Sequence, residues 1–481
     1  MEFIIIISSL VIASLIAILA KHRITVECVS ISASAVALIE SFVVAFKVAL
    51  SGDYSPFAFF SVDALGALLM LIISCVGFAT VAYSIPYLRK ETANNIIGFT
   101  RVKQYFTLLN LFLGAMFLAI SSSSPIFAWI AIEATTLSTA FLISFYNKSS
   151  AMEAAWKYLI INSIGLLLGF FGTLLYFTSI DPSLGNGFIS WHMLTTNAIH
   201  MDPLLAKIAF VFVLIGYGTK VGLAPMHTWL PDAHSKAPAP ISALLSGVLL
   251  NVALVIVLKF KIITDSVIGQ SFSQTLLIVF GTFSILISAL IILSQKSYKR
   301  LLAYSSIENM GIIALGFGFG GLGVMAAILH TIYHSLTKSA LFFLSGNFLL
   351  KYHSAKIANV KGALKALPIT SILFLIGFFA ITGAPPFGIF LTKLFTFSAG
   401  ITTHPVIGIT AILLTAIVFI GFFKHASAMV FGEKPSEMKQ EKESIWLILP
   451  PLILLILVLV LSFYQPPFLQ VLIHNATLYY K

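Results

Sequence analysis

The stretch VFVLIGYGTKVGLAPMHTWLPDAHSKAPAPISALLSGVLLNVALVIVLK, residues 211–259, decides how this chain is read: an apolar span carries one lysine, Lys220, and then breaks at a proline-rich turn around Pro225. At the centre of a bilayer a lysine costs roughly 2.5–3.5 kcal/mol on insertion scales, so a charge there is expected to have a function and a partner. The alternative is that Lys220 snorkels, keeping its stem in apolar surroundings and its ammonium at a nearby interface.

Outward from that segment, composition fixes the environment. Of 481 residues, 59% are hydrophobic and only 9% charged, and the mean hydropathy is +1.02, well beyond a soluble domain of ordinary composition. Apolar runs of roughly 20 residues, each enough to cross a ~30 Å hydrocarbon core as a helix, recur so regularly that no soluble domain fits between them. The expectation is an all-α polytopic membrane protein with about fourteen spans, at 3–20, 29–50, 62–84, 105–121, 125–146, 157–179, 204–222, 240–258, 273–294, 302–320, 322–350, 367–399 with a break, 403–423 and 445–464. The first span ends at Lys21, His22 and Arg23 and lacks the basic leader of a secretory signal, so it is read as retained. Cys28 and Cys75 lack the spacing of an iron–sulfur or zinc site, and no cofactor or metal is expected in the chain itself.

A formal charge of +11 raises the question of nucleic acid, and the distribution of the charges answers it. Twenty of the 28 Lys and Arg residues fall in the odd-numbered loops, five lie on the opposite side, and three, Lys220, Lys338 and Lys393, lie inside apolar runs. Cytoplasmic loops collect Lys and Arg, so this asymmetry predicts an inner-membrane protein with both termini outside. The net charge is then a topology signal that needs no nucleic-acid partner. The one charge-dense loop, 431–444, reads as a solvated cytoplasmic connection, and 181–203 as a capped, partly amphipathic outer one.

Of seventeen acidic residues only Glu40, Glu133 and Glu308 sit clearly within spans, with Asp63 at the start of one. Glu133 lies about eight residues past Pro125, roughly 12 Å deep at 1.5 Å per residue. A carboxylate there is protonated or finds a cation, which makes Lys220 its expected partner; a structural, hydrogen-bonded glutamate is the plain alternative. Glu308, in KRLLAYSSIENMGII (299–313), either joins a relay or caps and pairs locally with Lys299 or Arg300, while Glu40 has no motif around it. The run LGVMAAILHTIYHSLTKSALFFLSG (322–346) puts His330, His334 and Lys338 on one helix face at i, i+4 spacing. Without a carboxylate or cysteine nearby, metal binding is disfavoured there against passing protons or plain burial.

A second broken span, LPITSILFLIGFFAITGAPPFGIFLTKLFTF (367–397), carries Gly383-Ala384-Pro385-Pro386 in mid-membrane and Lys393 just beyond. Backbone freed by proline is tolerated in a membrane only where protein or a water-filled cavity satisfies it. The interrupted spans are the seventh and the twelfth, each fourth in a five-span block, and matching interruptions point to the site of an inverted-repeat transporter. The expected organisation is an N-terminal three-helix segment (1–104), a first five-helix repeat (105–258), a second (273–423), and a loop with the last helix (424–481).

The motifs GTKVGLAPMHTWLPDAHSKAPAPISALL (218–245), KRLLAYSSIENMG (299–311) and HTIYHSLTKSALFF (330–343) closely resemble the antiporter-like subunits shared by respiratory complex I, multisubunit sodium/proton antiporters and energy-converting membrane hydrogenases. The resemblance covers roughly 60–425, including FSVDALGALL at 60–69. The SSIEN spelling and the short tail look most like the F-type membrane subunits of the hydrogenase-4 and formate hydrogenlyase branch. What the resemblance implies is a proton-translocating membrane subunit of a redox-driven complex, working beside other membrane subunits and a peripheral hydrogenase-like or complex I-like arm. In that pattern Glu133 matches the family's fifth-span glutamate, Lys220 the broken-helix lysine, Lys338 the second-half lysine and Lys393 the outlet, with His330 and His334 ahead of Lys338. Glu308, Lys157 and Lys236 are further relay candidates.

Relatives carry a lysine or histidine on the eighth span where this chain has Ser246 and Asn251, so water held by these two would have to bridge there. The implied mechanism has Glu133 hold Lys220 charged as an ion pair until a change in a neighbouring subunit parts them and a proton moves toward Lys338 and Lys393. Competing readings are a sodium/proton antiporter subunit, a non-conducting anchor for a redox arm, and a self-sufficient oxidoreductase, for which only an unliganded quinone would serve.

Overall fold

The computed structural model describes residues 1–178, 189–433 and 442–481. The charged loop and the outer connection expected at 431–444 and 181–203 therefore lie partly outside the described residues. Inside a bilayer a backbone must satisfy its own polar groups, and the chain does so almost wholly by helix. In order the helices are α1 (Glu2–Leu19), α2 (Arg23–Ser51), α3 (Ala64–Ala93), α4 (Phe99–Ser121), α5 (Pro125–Ile143), α6 (Ser149–Phe177), α7 (Trp191–Asn197), α8 (Pro203–Val221), α9 (Trp229–Lys236), α10 (Ala239–Leu244), α11 (Leu250–Ile268), α12 (Gln270–Ile292), α13 (Tyr298–Phe319), α14 (Leu322–Tyr352), α15 (Ala363–Ala366), α16 (Pro368–Thr382), α17 (Gly388–Thr403), α18 (Pro405–Phe431), α19 (Ile445–Phe463) and α20 (Pro467–Tyr480). Proline opens α5, α8, α16, α18 and α20, where its missing N–H costs nothing.

Among the described residues twelve helical segments are long and apolar enough to cross a membrane. The other two of the expected fourteen are present in a different form. One is α14, 31 residues long, whose load of His, Thr, Ser and Lys lowers its hydropathy; the other is divided into α16 and α17. A short hairpin, β1 (Tyr54–Phe57) and β2 (Phe60–Val62), and the terminal α20 had no sequence signal. The hairpin leads into α3, where Asp63 accepts the Gly66 amide at 2.7 Å and the Tyr480 hydroxyl of α20 at 2.9 Å.

α14 runs through the centre, packed against α3, α10, α13, α16, α17 and α19. The spanning windows of α10–α11 and α13 are also wholly buried, whereas α1, α2, α18 and α19 turn most of their apolar surface outward. This arrangement shields polar groups inside a sleeve of lipid-compatible helices.

Both breaks are built alike. α8 ends at Gly222 with φ 79°, and α16 at Gly383 with φ 86°, left-handed positions that favour glycine. The freed groups of the first break find protein partners: Trp229 Nε1 donates to the Thr219 carbonyl at 2.8 Å, and the Ala224 amide donates to Ser284 Oγ at 2.9 Å. α8 also lies unusually close to α6, because Gly216 faces Gly169 so tightly that a Cβ at 216 would sit 2.2 Å from the Gly169 nitrogen. Small residues of this kind let membrane helices approach backbone to backbone.

Candidate functional site

The close α6–α8 contact sets Lys220 between two polar rows. Lys220 is fully buried in the last turn of α8, so it does not reach an interface. Its ammonium donates to Tyr158 OH on α6 at 2.6 Å and to Thr136 Oγ1 on α5 at 2.9 Å, and it lies 4.7 Å from the centre of the Tyr158 ring. A cation in the last turn of a helix is also favoured by the carbonyl end of the helix dipole. Glu133 is one step removed: Thr136 Oγ1 reaches Glu133 Oε2 at 3.3 Å, and Ser163 Oγ donates to Glu133 Oε1 at 2.8 Å. Among the described residues no direct ion pair joins Glu133 to Lys220; the Thr136 hydroxyl stands between them. Thr136 is three residues after Glu133 and therefore on the same face of α5, a signal the sequence already carried.

The second half has a direct pair. Lys393 Nζ donates to Glu308 Oε1 at 2.9 Å, both side chains are nearly wholly buried, and the ammonium also reaches the Thr382 carbonyl at 3.3 Å. Thr382 closes α16, so Lys393, on α17, reaches back across the break to a helix C-terminus. Glu308 thus takes neither local partner open to it in the sequence. Lys299 donates instead to the Ala237 carbonyl at 2.6 Å, and Arg300 pairs with Asp232.

The histidines part company. His330 is held on both nitrogens, Nε2 by Asn309 Oδ1 at 2.9 Å and Nδ1 by Thr392 Oγ1 at 2.8 Å. Neither nitrogen of the buried His334 has a hydrogen-bond partner among the described residues. The same holds for His234, a residue the sequence did not single out, whose ring stacks on Phe342 at 4.8 Å. Lys338 Nζ donates to the Leu302 carbonyl at 2.9 Å.

Between the halves, α10 passes into α11 through a π turn, Leu245–Leu249. Such i→i+5 turns recur at functional sites, and this one brings Ser246 and Asn251, five residues apart, onto the side facing the second half. The Ser246 and Ser306 hydroxyls are 2.6 Å apart, and Ser306 shares the Leu302 carbonyl with Lys338. Asn251 Nδ2 donates to Ser335 Oγ at 2.9 Å, one turn before Lys338 on α14. Ser246 therefore joins Lys338 through Ser306 and the Leu302 carbonyl, Asn251 meets α14 at Ser335, and no described hydrogen bond connects either to Lys220 or Tyr158.

Lys157 and Lys236 lie outside the buried set. Lys157 is exposed and pairs with Glu153 at 2.6 Å and with Asp232 at 3.6 Å, and Lys236 donates to Ser150 Oγ at 3.1 Å. They line an open cavity of about 710 Å³ together with Lys148, Asp232 and Arg300.

Comparison with known proteins gives a consistent result. Residues 122–419 match the family described as NADH:quinone oxidoreductase/Mrp antiporter, TM. A hydrogenase-4 component F homolog from Methylacidiphilum infernorum (isolate V4) is 37% identical over 422 residues, 86% of this chain and 87% of that one. NADH-quinone oxidoreductase subunit N of Desulforudis audaxviator (strain MP104C) is 28% identical over 76% of this chain and 72% of its own length. In fold, the chain superposes with TM-score 0.88 on a chain of the membrane-bound sulfane sulfur reductase, an archaeal respiratory membrane complex, at 22% identity and covering 99% of this chain and 97% of that one. It superposes with TM-score 0.86 on a chain of the Mrp complex from Dietzia sp. DQ12-45-1b, at 18% identity and covering 100% and 98%. The broken helices, their buried lysines and these matches together establish that the chain belongs to the NADH:quinone oxidoreductase/Mrp antiporter transmembrane family.

Proposed function

We propose that the chain translocates protons as one membrane subunit of a redox-driven complex of the hydrogenase-4 or NADH:quinone kind. The observation that carries this reading is the recurrence, at each of two helix breaks, of a buried lysine tied to a glutamate on a neighbouring helix, with polar side chains of the central helices between them. Glu133 is only half-buried, and Ala134 and Leu137 beside it are exposed on the same side of α5, so a neighbouring subunit has access to its carboxylate. A charge change there acts on Lys220 through the Thr136 hydroxyl. Lys220 then gives up its proton toward Lys338 through water near Ser246 and Asn251, with His330 and His334 beside the second-half lysine. Lys393 delivers the proton outward as its pair with Glu308 opens. The cavity bearing Lys157 and Lys236 collects protons from the cytoplasmic side.

This reading carries with it two inverted five-helix repeats, 105–258 and 273–423, flanked by the three-helix segment 1–104 and the tail 424–481. It also carries an inner-membrane location with both termini outside, supported by the distribution of Lys and Arg. The driving step occurs in a peripheral redox arm.

The test is proton uptake by vesicles holding the whole complex. Lys220→Ala and Lys338→Ala are expected to abolish uptake while redox turnover of the arm persists, and full pumping by both variants contradicts the proposal. Sodium exchange is the second reading, because a Na(+)/H(+) antiporter component of Alkalihalophilus pseudofirmus is 28% identical over 84% of this chain and about half of its own length, 52%. Sodium requires carboxylate and carbonyl oxygens, and the ammonium of Lys393 already occupies Glu308 and the Thr382 carbonyl, so protons are favoured. Sodium-dependent reversal of proton flow would favour the antiporter reading.

A further inference from the structure

Asn309 carries no charge, yet it touches both chemically active groups of the second half. Its Nδ2 donates to the Ser305 carbonyl at 2.6 Å and to Glu308 Oε2 at 3.0 Å. An amide nitrogen has two hydrogens, and both are thereby committed to acceptors, which fixes the orientation of the amide. The oxygen that faces His330 Nε2 at 2.9 Å can only accept. His330 Nε2 must therefore carry a hydrogen, because an unprotonated Nε2 would set two lone pairs against each other in a buried site. The opposite nitrogen, Nδ1, meets a group that can act either way. The Thr392 hydroxyl has one hydrogen and two acceptors within reach, His330 Nδ1 at 2.8 Å and the Ile389 carbonyl at 3.0 Å. Turned to His330, it suits the neutral ring; turned to Ile389, it leaves its oxygen to accept from a protonated Nδ1.

From this accounting we propose that Asn309 is the positioning residue that locks His330 in its Nε2–H form, so that the ring gains and loses a proton at Nδ1 alone. His330 is then a chargeable switch beside the Glu308–Lys393 pair, and a proton does not pass through it from one nitrogen to the other. Passage would require Nε2 to surrender its proton to an amide oxygen, which does not hold one. Charging is a simple proton addition: Nδ1 binds one proton, no bond to carbon changes, and Thr392 rotates toward Ile389. The charged and titratable groups that sense the change are Glu308 on α13, Lys393 on α17, and His334 and Lys338 on the same helix as His330. A positive ring repels the Lys393 ammonium and polarises the Asn309 amide, whose Nδ2 then competes more strongly for the Glu308 carboxylate, so charging His330 weakens that pair. The Thr392 rotor is what permits both states.

This inference rests on the relay reading for its purpose but has a test that does not need pumping. The complex, labelled with ¹⁵N-histidine and embedded in bilayers, is measured by solid-state NMR, with the His330 resonances assigned by their loss in His330→Gln. The neutral ring is expected to be protonated at Nε2; a neutral ring protonated at Nδ1 overturns the proposal in the unmutated protein, whatever becomes of any variant. Asn309→Leu is expected to release the ring into a mixture of both neutral forms, and an unchanged signature overturns the clamp. Thr392→Ser should retain the charged state that Thr392→Val loses, and equal behaviour of the two contradicts the role of the hydroxyl. If Asn309→Leu alters the ring while protons per turnover stay at the wild-type value, the clamp is supported and the part of the His330 switch in pumping falls instead.

Discussion

The two halves solve the same problem, a lysine beside a broken membrane helix, in opposite ways. In the first half the ammonium of Lys220 is held by hydroxyls, and its carboxylate stands one hydrogen bond further away, on a half-buried face of α5. In the second half Lys393 and Glu308 are in direct contact and shut inside the fold. Both ammonium groups sit near a helix C-terminus, Lys220 in the last turn of its own half-helix and Lys393 across the break from another. The difference lies in who can disturb the pair. Glu133 is open to a neighbour, and the Thr136 link can be loosened without stranding a charge. The Glu308–Lys393 pair answers only to groups inside the chain.

That contrast can be broken experimentally, and the largest effect should come from the sealed pair. Removing one partner of a buried ion pair strands the other, at about 3–5 kcal/mol. Lys393→Ala should therefore lower the thermal stability of the assembled complex sharply, and Glu308→Gln combined with Lys393→Gln should restore much of it. A first-half change should be milder. Thr136→Val removes the hydroxyl that accepts from Lys220 and reaches Glu133, hydrogen bonds to charged groups worth about 1.5–3 kcal/mol each, while Tyr158 still holds Lys220 and Ser163 still holds Glu133. Its signature should be a loss of pumping out of proportion to its effect on stability, with Thr136→Ser close to wild type. Smallest is Ser246→Ala, which deletes one hydroxyl contact worth about 0.5–1.5 kcal/mol; stability should barely change, and slower proton uptake would mark the bridge between the halves.

The features set by hydrophobic length and composition were legible in advance. The helical membrane architecture, the two breaks at Pro225 and Pro385-Pro386, and the three lysines inside apolar runs follow from hydropathy and from proline chemistry alone. Which partner each lysine takes was not legible, because that depends on how neighbouring helices are rotated and spaced. The approach of Gly216 to Gly169 decides that Lys220 meets Tyr158, and spacing within one helix carries no trace of it. For Glu308 the sequence leaves local partners and a relay equally open, because its actual partner is 85 residues away, across the second break. Ser246 and Asn251 mark a gap in the sequence, and the π turn at Leu245–Leu249, invisible in an otherwise regular apolar run, accompanies the approach of Ser246 to Ser306 and of Asn251 to Ser335.

The proposed relay runs through both halves, and a double-variant cycle on proton pumping tests that continuity most directly. Protons taken up per redox turnover are to be measured in vesicles for wild type, Lys220→Ala, Lys338→Ala and the double variant. A single relay predicts that the double variant pumps no less than the weaker of the two singles, because a path cut once is not cut further by a second break. Two partial losses that add in the double variant would mean separate paths through the two halves, and would contradict the account.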